Sequence, residues 1–258
     1  MSNQRDREER VKKVGLMLLR AGSMLQSSGS STSRTRMTVD RIADKFGCNA
    51  DLFITHRALN ITVSIKNHEY LFSATKRTMP PGVNFKIVSG ISKMSWRVIE
   101  ENWSVDQIEE ELSRLETLPR YPRLLLLTLV GLAGAGFCGL ADGSIYAILV
   151  CFFATFIGLF VRQETEKRKY NPYLCVFFAS LAATMFSGGL HRLFPGAGLE
   201  TAFATCVLFL IPGVPLINSF TDMLDGNILN GILKASNGLI ISFMIAIGLT
   251  VSLIIYQF

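Results

Sequence analysis

Charge is scarce in this sequence, at 18% of 258 residues against roughly 25% in a soluble domain. From residue 124 onward five stretches have no Asp, Glu, Lys, Arg or His: 124–141, 143–161, 170–190, 201–221 and 235–258. Each has the 18 or more apolar-rich residues that a helix needs to cross about 30 Å of hydrocarbon, which excludes one large soluble core. Histidine is equally thin. His56, His68 and His191 have no metal-ligand spacing to one another or to Cys, and no G-x-S-x-G or P-loop is present, so an enzyme has no legible residues. The five cysteines show no C-x-x-C or disulfide-like spacing and read as small core residues. No secretory signal is expected, because the first apolar run, Val14 to Leu19, is too short for a signal-peptide core. No cofactor or nucleic-acid motif is present.

What charge there is lies at one end. Residues 1–123 hold 20 of the 26 Lys and Arg and 14 of the 20 Asp and Glu, and so the entire formal net charge of +6. The expected fold is an α-helical integral membrane protein with five transmembrane helices, preceded by a small α/β (α+β) cytosolic domain. The cytosolic domain is expected over 1–118. The membrane domain follows over 119–258, with spans at about 123–141, 143–161, 172–190, 200–220 and 236–256. Arg162, Lys167, Arg168 and Lys169 fall in the break between the second and third spans, whereas the alternate loops hold only Arg192. That bias predicts a cytoplasmic N-terminus and, after five crossings, Gln257 and Phe258 outside.

In the polar half, Val11, Val14, Leu18 and Leu25 form a helical stripe over 8–27. Met37 to Phe46 repeats the pattern before Gly47, a C-cap. The segment 52–75 alternates as a small antiparallel sheet, with Asn67 and His68 as a turn. A helix is expected from Asn84 to Glu101, and Ser104 with Gln107 forms a capping box for a last helix ending near Thr117. Glu109, Glu110 and Glu111 read as a solvated face. The Ser-rich run from Ser27 to Arg36 could cradle an anion, but reads as a loop that needs no ligand.

In the membrane half, Pro119 and Pro122 stop the preceding helix, and Arg120 and Arg123 suit the inner headgroup surface. Gly131, Ala135 and Gly139, and likewise Ala179, Ala183 and Ser187, recur every four residues as stripes that let helices approach closely. Thr184 and Ser187 could instead line a polar cavity. The fourth run carries Pro212, Gly213 and Pro215 near mid-span, where missing backbone donors break a helix. Secondary transporters build sites on such breaks. Pro215 would open a half-helix whose amides could seat a carboxylate. Asn218 and Asp222 share one of its faces and Asp225 follows; Gly226 ends it. Lys234 is either an interface anchor or the counter-charge for these acids.

The runs LPRYPR at 118–123, VGLAGAGFCGLADG at 130–143, CFFATFIGLFVRQ at 151–163 and IPGVPLINSFTDMLDGNILNG at 211–231 closely resemble the threonine/serine exporter superfamily, in particular its YjjP-type large subunits. The resemblance covers essentially the whole chain. It implies an exporter of small carboxylate metabolites in the bacterial inner membrane, with threonine, serine or a dicarboxylate such as succinate as substrate. It also implies a second, small multi-span membrane subunit as partner and allows a higher oligomer. Pro212, Gly213, Pro215, Asn218, Asp222, Gly226 and Gly231 match the family run by position. Two departures stand out: Lys234 where the family usually has arginine, and Gly29-Ser30-Ser31-Thr32 where it usually reads Gly-Ala-Glu-Ser or Thr. The rival expectation is a non-transporting membrane subunit whose cytosolic domain senses a metabolite or docks a partner.

Overall fold

The computed structural model describes residues 2–55, 58–65, 71–78, 82–119, 121–195 and 197–256. His56 and the expected Asn67–His68 turn lie outside them, as does Arg120. In chain order the elements are α1 (Ser2–Ser27), α2 (Thr32–Lys45), β1 (Cys48–Ile54), β2 (Ala58–Ile65), β3 (Leu71–Arg77), α3 (Phe85–Glu100), α4 (Val105–Glu116), α5 (Arg123–Leu140), α6 (Ile145–Lys167), α7 (Pro172–Leu193), α8 (Glu200–Thr205), α9 (Gly213–Leu224) and α10 (Ile228–Tyr256). By internal contacts the chain forms two compact units. One joins residues 1–119 to 214–236; the other joins 120–213 to 237–258.

The first unit is mixed α and β. Its strands form an antiparallel sheet in the order β1-β2-β3, with Leu52 opposite Ile61 and Ile61 opposite Ala74. Leu59, Ile61 and Val63 point to a core shared with Val14, Leu18 and Leu25 of α1, Val39 and Ile42 of α2, Ile91 and Met94 of α3, and Ile108 and Leu112 of α4, all buried. On the other face of the sheet Thr62 and Ser73 pair their hydroxyls at 3.2 Å. The capping box of α4 forms as expected, Ser104 with Gln107. Gly47 follows α2 at φ +69°, the left-handed residue that a C-cap needs.

Three expectations are corrected here. The Ser-rich run is largely helical: α2 begins at Thr32, where Ser31 accepts from the Arg34 amide as N-cap. The first strand starts at Cys48, before the alternation becomes regular. The run Glu109–Glu111 is only in part a solvated face: Glu110 is exposed, but Glu109 binds Arg20 of α1 at 2.6 Å, as Glu116 does at 2.7 Å, and Glu111 pairs with Arg114 at 2.6 Å.

The second unit is helical. Counted along the chain, α5, α6, α7 and α10 are long and apolar enough to cross a membrane, and the region 200–224 supplies up to a fifth span, as a bent pair; of these, residues 214–224 and 228–236 belong to the first unit. Large apolar side chains such as Leu132, Leu149, Phe153, Phe243 and Ile254 are exposed, as lipid-facing side chains are. Inside, Gly131, Ala135, Ala179, Ala183 and Ser187 of the small-residue stripes are buried, whereas Gly139 is exposed. A Cβ on Gly158 of α6 would meet the Ala179 carbonyl oxygen of α7 at 3.0 Å, so the glycine lets these backbones approach without a displacement that any side chain would force. Pro122 stands at the N-cap of α5. Beside it Arg123 donates to Gln163 and Glu164 of α6 and lies over the Phe160 ring, an intramolecular clamp. The five cysteines are free and buried.

Candidate functional site

The fourth apolar run is not a continuous helix. After α8 the chain makes a short 3-10 turn, Leu208–Leu210, passes through Ile211 and buried Pro212, and restarts as α9 at Gly213. The half-helix therefore opens two residues before Pro215, which occupies its third position and not the first. The shift costs nothing, since every amide of a first turn lacks an intrahelical acceptor and proline has no N–H to leave unpaired. Where α9 ends, Gly226 lies at φ +82°. Its amide donates to Met223 O at 3.1 Å and that of Asn227 to Asp222 O at 2.7 Å, the paired bonds of a Schellman cap.

Asn218 and Asp222, one turn apart, share a face of α9, and both are engaged. The Asn218 amide donates to Gly29 O at 2.8 Å. Asp222 is wholly buried. Its Oδ1 accepts from the Thr32 amide at 2.9 Å, and its Oδ2 from the Thr32 hydroxyl at 2.9 Å and from Lys234 Nζ at 2.6 Å. Thr32 is the first residue of α2, so Asp222 satisfies an orphan amide at the positive end of that helix dipole. Ser31 serves a second amide of the same turn, that of Arg34. Of the two expected roles for Lys234, the structure selects the counter-charge.

Two more contacts complete this part of the first unit. Asn230 of α10 donates to Ile54 O at 2.7 Å. Gly231 packs so tightly under α9 that a Cβ would meet Ser219 O at 2.8 Å. Asp225 is exposed, on the next face with Thr221, beside α2 and α3. The remaining sequence-derived candidates belong to the second unit. There Thr184 shares a hydrogen bond with Ser252 at 2.6 Å and donates to Ser180 O. Ser187 is fully buried and its hydroxyl has no partner among the described residues.

Thr32, Gly29 and Asn230 escape sequence reasoning as site residues. Thr32 alone had a signal, the Ser31 N-cap ahead of it. Gly29, Thr32 and Lys234 converge at Asp222 and its neighbour Asn218.

A buried carboxylate on a proline-broken helix, in a chain whose other helices include four of membrane-crossing length, is what a multi-pass membrane protein of transporter type would carry. A family described as "Putative threonine/serine exporter" matches residues 16–256, and the chain belongs to that family, a class of exporters. It is similar to the "Probable succinate transporter subunit YjjP" of Escherichia coli (strain K12), 28% identical over 96% of this chain and 96% of the relative. The protein of the same name from Klebsiella aerogenes is 28% identical over 97% and 96%. The "Probable threonine/serine exporter" of Mycobacterium tuberculosis is 23% identical over 94% of this chain but 46% of its own length. No solved structure matches.

Proposed function

We propose that this chain is the large subunit of a two-chain secondary exporter, which carries small carboxylate metabolites out across the bacterial inner membrane. In this reading the N-terminal domain is cytosolic and the partner is a small multi-span membrane subunit. The observation that carries the reading is the buried Asp222 carboxylate on the broken helix. Three donors converge there, one of them a charged ammonium: an arrangement suited to any carboxylate. In the state described, Asp222 fills the seat formed by Thr32 and Lys234. Movement of α9 about the Pro212-Gly213-x-Pro215 break would withdraw it and let a substrate carboxylate take its place, an exchange that suits alternating access. A lysine at 234 offers a point charge instead of arginine's two-pronged grip, so selectivity rests more on the neighbours. Thr184 and Ser187, in the second unit, are the polar side chains within the spans that a substrate could meet there. The near-equal lengths of this chain and its succinate transporter relatives support the two-chain form, and the longer M. tuberculosis relative fits a fused one.

The test is uptake into inverted vesicles under an imposed pH gradient, with and without the candidate small subunit, comparing labelled succinate with labelled threonine. Flux only with both chains is expected, falling at least about tenfold in Asp222→Asn or Asn218→Ala, a rise of about 1.4 kcal/mol in the transport barrier. Normal flux in both variants, with protein amounts unchanged, removes the site assignment. Absence of flux from folded, assembled protein favours the sensing or docking subunit.

A further inference from the structure

A pocket of about 330 Å³ lies in the first unit, walled by α2, α3 and α9 and separate from the groups that hold Asp222. Volumes of this order suit small molecules. One wall is a single face of α2: Arg34, Met37, Thr38 and Arg41, spaced i, i+3, i+4, i+7. Arg41 is held in place, its guanidinium 3.8 Å above the Trp96 ring and donating to the Ser95 hydroxyl at 2.9 Å. Opposite in charge, Asp225, the residue after the end of α9, lines the same pocket with Thr221 of that helix. Among the described residues neither the Arg34 guanidinium nor the Asp225 carboxylate has a hydrogen-bond or ion-pair partner, whereas most charged groups on α4 are paired.

A pocket offering guanidinium groups at one side and a free carboxylate at the other is complementary to a molecule with both charges. We infer that this pocket binds a small zwitterion, an α-amino acid. The ligand's carboxylate meets Arg34 and Arg41, which offer planar pairs of N–H donors. Its ammonium meets Asp225. The hydroxyls of Ser33 and Ser92 are within the lining for a polar side chain, and Met37 with Trp96 supplies the apolar wall. A dicarboxylate of similar size would bring its second carboxylate against Asp225, a like-charge contact that costs affinity. Because Thr221 belongs to the helix that carries Asn218 and Asp222, and Asp225 directly follows its last residue, ligand in the pocket ties α9 to α2 and α3. The inference goes beyond the transport reading and stands or falls without it.

The chain has two tryptophans, and Trp103 is not among the lining residues. In full-length protein carrying Trp103→Phe, Trp96 reports on the pocket alone. The measurement is Trp96 emission during titration with L-threonine, L-serine and succinate, with no gradient and no second chain present. Calorimetric titration of the unsubstituted chain provides a check that does not depend on the substitution. A saturable response to the amino acids is expected, weakened about tenfold or more by Arg34→Gln and by Asp225→Asn, and at least about tenfold weaker for succinate. Asp225→Asn should also narrow the gap between the two ligand classes, a selectivity change that a merely structural role for Asp225 would not produce. No saturable response by either method overturns the inference, as does equal binding of succinate and threonine that Asp225→Asn leaves unchanged. Flux plays no part in this measurement, so a failed transport reading and a failed pocket are told apart.

Discussion

Asp222 shows how much one buried charge depends on its neighbours. Removing one partner of a buried ion pair leaves the other uncompensated, at a cost of about 3–5 kcal/mol. Lys234→Met is therefore expected to lower the unfolding temperature sharply, while Thr32→Val, which keeps the backbone bond and loses the hydroxyl, costs about 1.5–3 kcal/mol. Thermal unfolding in detergent checks both; equal stability of Lys234→Met and wild type would mean that the charge pair contributes nothing. A surface pair behaves differently. Two hydrogen bonds from Arg114 hold the Glu111 carboxyl below the usual carboxylate range. A lowered folded-state value means that the contribution is complete above the ordinary range and lost as pH falls through the folded value. Glu111→Gln should thus be less stable than wild type at neutral pH. The two should converge in acid, and added salt should narrow the gap.

Among the elements, the amphipathic stripes, the capping box and the broken fourth run were legible, because each depends on spacing within a few turns. The start of α2 was not. Ser and Thr favour loops since their hydroxyls compete for backbone bonds. Here those hydroxyls instead turn inward along the helix: Thr35 donates to Ser31 O and Thr38 to Arg34 O. A composition typical of turns can therefore conceal a helix once its first turn has Ser31 and Asp222 as caps. Gly231 makes the packing of α9 on α10 testable. An added methyl would press on the Ser219 backbone oxygen, which cannot rotate away, so Gly231→Ala is expected to cost about 1–3 kcal/mol, measured again by thermal unfolding. In Gly226→Ala the strain is conformational, about 1 kcal/mol, from the left-handed backbone at the cap.

Across the whole molecule, what the sequence could not disclose is pairing at a distance. Periodicity says which face of a helix is buried but not what covers it. Thr32 meets Asp222 across 190 positions, Asn218 meets Gly29 across 189 and Asn230 meets Ile54 across 176. The Ser-rich run and the acids of α9 were each legible as candidates, yet nothing in either named the other. Hydrogen exchange can read the link directly. Asp222→Asn should speed exchange of the Thr32 amide by more than it speeds that of the core amides of β2, which report only the global loss of stability; exchange at Thr32 that rises no more than at β2 would show that the carboxylate does not hold that amide.

The same long-range pairing governs how this protein can be recombined with its relatives. A graft cut at the polar-to-apolar border near residue 119 would carry α2 away from residues 214–236, with which it forms one compact unit. The unit of exchange is discontinuous: a chimera should keep its stability only when residues 1–119 and 214–236 come from the same parent.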